Sequence, residues 1–254
     1  MIEYFVKLTR EEVSQFKKFV SSPYFNSNKK VILLGNYLCS RYPVITAETL
    51  NKKKIHHFIF RNQKYNDTNF RKLISDFNTV FKRFLKELEF KESTHLQKCL
   101  LLRSFVRLKI SDKVRHIHNE ILDTDLNFFS KNIDYYTNLY LSQNAYYRHA
   151  IYDNVKEKQK SFETLCEFSD LLIIYLKLNL YQYEDELLLD KRAALNDNYG
   201  LKKEIFSLAE NNLNVIKKRH PDIYFMFYEY RAKEDDVYFY ELEKYCMKNM
   251  KKLK

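Results

Sequence analysis

Glycine and proline are unusually scarce in this chain, with two glycines and three prolines among 254 residues. Glycine supplies the positive φ angles of tight turns, and proline punctuates turns and the ends of strands. β-Sandwiches, β-barrels and doubly wound sheets need many such positions, whereas long helices joined by short polar loops need few. The composition therefore predicts an all-α fold.

The same scarcity excludes several kinds of active site. Gly35 and Gly200 are the only glycines, so the chain contains no P-loop, no dinucleotide-binding G-x-G-x-x-G motif and no G-x-S-x-G nucleophile elbow. Each of these motifs needs at least two glycines at close spacing. We therefore expect no nucleotide cofactor and no hydrolase of the G-x-S-x-G class.

Metal and catalytic constellations are also missing from the sequence. No C-x-x-C or H-E-x-x-H spacing occurs. His116 and His118 would point in different directions on a helix, as would the adjacent His56 and His57, so we interpret all of them as surface or interface histidines. We expect no metal site, no cofactor, no catalytic residue and no enzymatic activity.

Four helices are predicted in the first third of the chain. Thr9 and Glu12 form the pattern of a capping box at the start of the first helix, which Pro23 ends. Further helices are predicted over 29–41, over 47–60 with Thr46 as the cap, and over 68–88. The fourth has the most regular apolar stripe, with Phe70, Leu73, Ile74, Phe77, Val80, Phe81, Phe84, Leu85 and Leu88 on one face.

The remaining chain is predicted to form helical hairpins. We expect helix 96–109 to pair with 112–122, 133–151 with 155–168, 171–194 with 202–218, and 223–233 with 237–250. The hairpins begin about 40 residues apart, a period typical of helical-repeat proteins. Stacking would bury the apolar face that each hairpin exposes alone, so we predict a tetratricopeptide-like array. Residues 171–180 are apolar nearly all round, which indicates a helix packed on several sides.

Charge divides the chain into two parts. Residues 1–92 contain 18 Lys and Arg against 9 Asp and Glu, a net charge of +9, and the rest supplies the remaining +2 of the total +11. The segment 89–94 is polar. We therefore predict a basic helical head over 1–92, for which a winged-helix-like arrangement is one alternative, and a helical-hairpin array over 93–254.

The basic residues of the head form a candidate binding surface. On helix 68–88 they lie opposite the apolar stripe, and a run of lysines precedes them in the sequence. A solvated helix face, a nucleic-acid surface and a site for an acidic protein partner are three interpretations of this pattern. The candidate residues are Lys52, Lys53, Lys54, Arg71, Lys72, Lys82, Arg83 and Lys86.

Tyrosines of the second part suggest a second surface. They occur on more than one face of their predicted helices, and tyrosine is enriched at protein interfaces. Packing between hairpins and a partner-binding groove are the two interpretations, with Tyr136, Tyr140, Tyr147 and Tyr228 as the groove candidates. Aromatic residues scattered around the last helix also suggest a homodimer through the C-terminal end.

Localisation is inferred from what the sequence lacks. No apolar stretch is long enough to span a membrane, the first residues do not resemble a signal peptide, and the four cysteines are widely spaced. Isolated cysteines are typical of a reducing compartment. We expect a cytoplasmic protein without membrane contact.

The N-terminal segment also resembles a known group of proteins. Leu8, Thr9, Glu12, Phe16 and Phe19, followed by the sequence Ser-Pro-Tyr-Phe-Asn at 22–26, resemble the opening of a family of uncharacterised helical proteins of Bacteroidota-type bacteria. The resemblance covers about residues 8–90. It implies a compact helical head followed by helical hairpins, and it assigns no functional residues.

Two functions fit these observations. The first is a non-enzymatic cytoplasmic adaptor that binds a protein or peptide along its helical-repeat array. The alternative is a nucleic-acid-binding or transcription-regulatory protein that uses the basic head.

Overall fold

The computed structural model describes residues 2–45, 50–61, 63–123, 131–149, 155–189, 201–233 and 235–249. Within these ranges the regular structure is entirely α-helical, so the predicted all-α class is confirmed. The helices are α1 (Ile2–Phe5), α2 (Arg10–Ser21), α3 (Lys29–Arg41), α4 (Lys52–Phe60), α5 (Asp67–Glu92), α6 (Thr94–Leu108), α7 (Ser111–Leu122), α8 (Ile133–Tyr147), α9 (Val155–Leu189), α10 (Lys202–Asn211), α11 (Leu213–Arg219), α12 (Pro221–Ala232) and α13 (Asp236–Asn249). None of the described helices combines the length and the apolar character needed to cross a membrane.

The chain divides into two compact units, residues 1–93 and 94–254. Helices α1–α5 form unit 1, and α6–α13 form unit 2. A winged-helix head would contain a β-wing, but the described residues of unit 1 form helices only. The winged-helix alternative therefore finds no support there.

Local sequence signals place the helix starts of unit 1. The Thr9 hydroxyl accepts from the amide of Glu12, and the Glu12 carboxylate accepts from the amide of Thr9 at 2.6 Å, so the predicted capping box is confirmed. Asn28 caps α3. Helix α4 begins at Lys52 with Asn51 as its cap, later than the predicted start at 47, and the proposed cap Thr46 lies outside the described residues.

An aromatic cluster forms the core of unit 1. Phe16 packs edge-on against Phe77, Phe81 and Phe84 of α5, with ring centroids 5.1 to 5.8 Å apart. Phe5 of α1 contacts Phe16 at 5.4 Å. The apolar stripe of α5 is therefore the surface on which α1 and α2 pack, and its opposite face remains exposed.

Helical hairpins build the first half of unit 2. The turn at Lys109 and Ile110 reverses the chain between α6 and α7, and Lys98 of α6 reaches Glu120 of α7. Helix α8 then packs along α9. The buried Gln143 of α8 donates to the Ser161 hydroxyl and carbonyl of α9, both at 2.9 Å.

Two predicted helix boundaries in unit 2 are wrong. The helices predicted over 155–168 and 171–194 are one continuous helix, α9, because Ser169 and Asp170 do not interrupt it and no glycine or proline lies between its ends. The single helix predicted over 202–218 is broken at Asn212. The Asn212 side chain donates to the Leu208 carbonyl at 2.9 Å, a local bond that competes with continued helix.

Candidate interaction surfaces

The predicted basic residues of unit 1 are all exposed. Lys52, Lys53 and Lys54 form the first turn of α4, and the others lie on α5 within about 120° of the helix circumference, opposite its buried stripe. We call this set, Lys52, Lys53, Lys54, Arg71, Lys72, Lys82, Arg83 and Lys86, the basic face. All eight side chains are exposed, as both a solvated surface and a ligand-binding surface require.

Asp67 lies at one end of the basic face, where its α4 and α5 parts meet. Its carboxylate contacts Arg71 at 2.6 Å and accepts a 2.8 Å hydrogen bond from the Tyr65 hydroxyl. The Tyr65 hydrogen bond lowers the pKa of Asp67, and the charges of Arg71 and Lys52 lower it further. Lys52 and Arg71 therefore lie around one carboxylate, which neutralises part of the positive charge at this end. Lys82, Arg83 and Lys86 lie about 16 to 22 Å along α5 from Arg71.

The predicted tyrosine groove is wrong for two of its four residues. Tyr136 is 1% exposed and Tyr228 8% exposed, and both belong to the core of unit 2. Tyr140 and Tyr147 are half-buried. Tyr136 stacks on Tyr175 of α9 at 4.7 Å, and Tyr228 of α12 packs edge-on against Tyr238 of α13 at 5.6 Å, so these rings pack helices together instead of lining a surface.

Tyr136 instead anchors a buried polar network. Its hydroxyl donates to Asp222 Oδ2 at 2.6 Å and lies 3.2 Å from His220 Nδ1. Burial lowers the pKa of His220 to about 3, with Lys131 and Arg219 adding to the effect through their charges. Burial raises the pKa of Asp222. The spacing of Tyr136 from His220 and Asp222 is more than 80 residues, so no sequence motif could have revealed this network.

The network borders a polar cavity of about 720 Å³. Lys131, Glu167, Arg219 and His220 are among its lining residues. Lys131 donates to the Arg219 carbonyl at 2.7 Å, and Arg219 faces Glu167 at 3.8 Å. Cations and carboxylates therefore largely neutralise one another in this cavity.

Two histidines that we interpreted as surface or interface residues are buried. His56 is 2% exposed and stacks on Phe60 at 4.4 Å, and His118 is 5% exposed and stacks on Tyr146 at 3.8 Å. His118 Nε2 lies 2.7 Å from Gln143 Oε1. Each ring packs in the core while one of its nitrogens lies within hydrogen-bond distance of a polar group.

Across the described part of the chain, no group of three or more His, Cys, Asp and Glu side chains could hold a metal ion.

A groove between α6 and α8 has a different chemistry. Helices α6 and α8 run parallel, because His95 contacts Tyr135 and Cys99 contacts the Asn138 carbonyl in the same order along both helices. Arg103, Arg107 and Arg148 border a groove of about 300 Å³ whose other lining residues are Val106, Leu141, Asn144 and Ala145. We call it the arginine groove.

The arginine groove concentrates positive charge on an apolar floor. All three of its charged lining residues are arginines, and each is exposed. Leu141 is 39% exposed within it. Arginine presents a planar fork of donors that binds carboxylates and phosphates in pairs. This groove was not predicted from the sequence, although the i, i+4 spacing of Arg103 and Arg107 places both on one side of α6.

Comparisons of the chain with protein-family models, with curated proteins and with solved structures give no match. The resemblance of the N-terminal segment to a helical bacterial family therefore stays a prediction.

Proposed function

We propose that this chain is a non-enzymatic, cytoplasmic interaction protein whose unit 2 binds an acidic segment of a protein partner in the arginine groove. The observation that carries the proposal is the convergence of Arg103, Arg107 and Arg148 on one groove whose lining contains no carboxylate. Stacked α6–α7 and α8–α9 hairpins position these side chains, which is consistent with a tetratricopeptide-like array.

The chemistry of the groove specifies the kind of segment. Three guanidinium groups favour carboxylate side chains, and the floor of Val106, Leu141 and Ala145 favours an apolar residue between them. A short segment that combines Glu or Asp with Leu would satisfy both parts. Arginine is also among the residues that contribute most to binding at protein interfaces.

A fluorescence-anisotropy titration tests this function. The probe is a fluorescein-labelled peptide of alternating Glu and Leu residues, added to the full chain at physiological salt. We expect micromolar binding that Arg103→Glu/Arg107→Glu weakens by about tenfold or more, since a tenfold change corresponds to only about 1.4 kcal/mol.

A charge-matched variant controls for the overall positive charge of the chain. Lys113→Glu/Lys160→Glu changes the net charge equally, at exposed lysines of α7 and α9 that do not line the groove. We expect this variant to bind the peptide almost as the unmodified chain does. Equal weakening by the two double variants would show nonspecific attraction and would overturn the proposal.

The basic face supports a second function, nucleic-acid binding by unit 1. Its eight side chains are exposed, and Ser75 and Thr79, also exposed, lie between Arg71 and Lys82 on the same side of α5. Lysine, arginine and hydroxyl side chains are the usual contacts to phosphate oxygens. This function predicts salt-dependent binding of nucleic acid that does not involve the arginine groove.

Anisotropy with labelled single-stranded RNA and duplex DNA tests the second function. We expect Lys82→Glu/Arg83→Glu to abolish binding, and its charge-matched control, Lys18→Glu/Lys29→Glu at exposed sites of α2 and α3, to retain most of it. The arginine-groove variant should bind nucleic acid normally. Absence of binding at low salt would remove this function and leave the first untouched.

A further inference from the structure

The longest helix of unit 2 leaves an apolar stripe uncovered. On α9, Phe162 is 51% exposed, Ile173 42%, Leu176 41%, Leu180 41% and Tyr183 54%. Cys166 is exposed and Ser169 half-exposed on the same side. We call the set Phe162, Cys166, Ser169, Ile173, Leu176, Leu180 and Tyr183 the α9 seam.

The spacing of the α9 seam is that of a coiled coil. Successive seam residues are 4, 3, 4, 3, 4 and 3 positions apart, which is an average of 3.5 over three heptads. Scattered exposed leucines are normal on protein surfaces, but a continuous stripe with this period forms when helices pack along each other. The opposite side of α9 is already used, because Phe168, Leu171, Ile174, Leu178 and Tyr181 are buried in the unit 2 core.

This finding alters the interpretation of the sequence in this region. Residues 171–180 are apolar nearly all round, which predicted a helix packed on several sides. In the structure only one side of α9 is packed, and the side that carries Ile173, Leu176 and Leu180 has no cover among the described residues.

The charges beside the seam select an orientation. With Cys166, Ile173 and Leu180 as heptad positions a, the flanking e positions hold Asp170 and Lys177, whereas the g positions hold Leu165, Leu172 and Asn179. A parallel pair brings g against e and offers no opposite charges along the centre of the seam, where Leu165 and Leu172 would face Asp170 and Lys177; only Lys158 and Glu163, at its first turn, would pair. An antiparallel pair brings e against e, and the register that places Ile173 opposite Leu176 places Asp170 opposite Lys177.

Two-fold symmetry makes that register self-complementary. If Asp170 of one copy faces Lys177 of the other, symmetry repeats the pair with the copies exchanged, so two ion pairs flank the centre of the seam. The same register places Glu163 near Glu184 at each end of the seam. Side chains at these ends are exposed or half-exposed, where solvent screens the repulsion.

We propose that the α9 seam is the interface of an antiparallel homodimer in which α9 of one chain packs along α9 of a second copy. The interface is distinct from the aromatic C-terminal helix, and it does not depend on the arginine groove or on what that groove binds.

Light scattering coupled to size-exclusion chromatography tests the proposal on the full chain. We expect the mass of a dimer for the unmodified chain at micromolar concentration, and the mass of a monomer for Leu176→Glu. Leu176 is 41% exposed within one chain, so this variant should keep the helical circular dichroism of the monomer. Leu108→Glu, at a leucine 56% exposed on α6, is the control and should remain a dimer.

Two further variants test the antiparallel register. Asp170→Lys should weaken the dimer by about tenfold, and Asp170→Lys/Lys177→Asp should restore it, because the exchanged charges again face each other. Ser169→Cys/Leu180→Cys should form a covalent dimer on oxidation, since these positions face each other across the seam. In a Cys166→Ser background, either single cysteine should not, because two copies of one position lie about 16 Å apart along the seam and no native seam thiol remains to react.

Three outcomes would overturn the proposal. The first is a monomeric unmodified chain at every concentration tested, and the second is a dimer that Leu176→Glu leaves intact. The third is cross-linking of the unmodified chain through Cys166 with no charge-swap rescue, which would show a parallel pair. Loss of peptide binding with the dimer intact would instead concern only the arginine groove.

Discussion

The Tyr136 hydroxyl donates a 2.6 Å hydrogen bond to Asp222 Oδ2, which joins α8 to the first turn of α12 inside the core of unit 2. The donor and the acceptor are 86 residues apart in the sequence. Asp222 is 8% exposed, and its other oxygen, Oδ1, has no hydrogen-bond partner among the described groups. Tyr136 is therefore the side-chain donor of this carboxyl group, and the backbone amides of Asp222 and Ile223 also favour its charged form.

Tyr136→Phe should consequently be strongly destabilising. The variant keeps the aromatic ring but leaves a buried carboxyl without its side-chain donor, and we expect a loss of about 2–3 kcal/mol in the free energy of unfolding of unit 2. Denaturant titration followed by far-UV circular dichroism measures the loss, because the chain contains no tryptophan for fluorescence. Tyr135→Phe, at a neighbouring buried tyrosine, is the control and should cost less than about 1 kcal/mol.

His220 should make unit 2 sensitive to acid. Burial and the nearby cations lower its pKa to about 3 in the folded chain, whereas the unfolded chain has the ordinary value of 6.5. Because the histidine pKa is lower in the folded chain, the unfolded chain takes up its proton at a higher pH than the folded chain does. The free energy of unfolding is therefore highest above pH 6.5 and falls as the pH decreases toward 3. One pH unit below 6.5 should cost about 1.4 kcal/mol.

Comparison with His220→Gln isolates this effect from other titrating groups. Asp222 has a raised pKa in the folded chain, so its protonation increases the stability as the pH falls, which is opposite to the His220 effect. This contribution is confined to the range between pH 3.8 and the folded pKa of Asp222, and Asp222 is present in both proteins. Between pH 7.5 and 5.5 the unmodified chain should lose about 1.4 kcal/mol more stability than the variant. Parallel pH dependence of the two proteins would show that His220 is accessible to protons in the folded state.

Gln143 should matter more than its sequence context suggests. It connects three helices, since its amide oxygen lies 2.7 Å from His118 Nε2 of α7 and its amide nitrogen donates to Ser161 of α9. Gln143→Ala removes both contacts and leaves His118 and Ser161 buried without these partners, so we expect a loss of about 2–4 kcal/mol. Thermal unfolding followed by circular dichroism measures it.

An exposed glutamine provides the comparison for Gln143. Gln159 of α9 donates only to Glu163, one turn away on the surface, at 3.2 Å. Gln159→Ala should change the stability by less than about 0.5 kcal/mol. A similar small effect at both positions would mean that water replaces the Gln143 contacts in the variant.

Helix positions in this chain followed from local signals where such signals exist. The capping box of Thr9 and Glu12 and the apolar stripe of α5 are short-range patterns. The capping box is confirmed, and so is the stripe except at Leu85, which is 37% exposed. The break at Asn212 and the continuity of α9 through Ser169 were not predictable in this way, because tertiary packing decides whether a weak helix breaker acts.

The candidate surfaces were less predictable than the helices. Exposure of Lys82 and Arg83 follows from the period of α5, but the burial of Tyr136 depends on Asp222, which lies in a different part of the sequence. Tyrosine is amphipathic, so composition alone does not distinguish a core ring from a surface ring. The arginine groove likewise needs Arg148 from a second helix, and only the packing of α6 on α8 brings it to Arg103.

Gly35 of α3 provides a test of close packing in unit 1. A Cβ atom built on this residue would lie 3.0 Å from both γ carbons of Val20, which is fully buried on α2. Rotation of the branched valine cannot relieve both contacts, so the helices would have to separate. We expect Gly35→Ala to destabilise unit 1 by about 1–2 kcal/mol, although alanine is the better helix former.

The effect of Gly35→Ala should change sign when Val20 is shortened. Val20→Ala removes the two γ carbons and destabilises by itself, because it leaves a cavity. In that background the added methyl group of Gly35→Ala occupies part of the cavity and gains up to about 1 kcal/mol of helix propensity. A double-mutant cycle from denaturant titrations measures the coupling free energy between the two substitutions. Additive effects would contradict the prediction, because they would show that α2 and α3 are not in close contact at Gly35 and Val20.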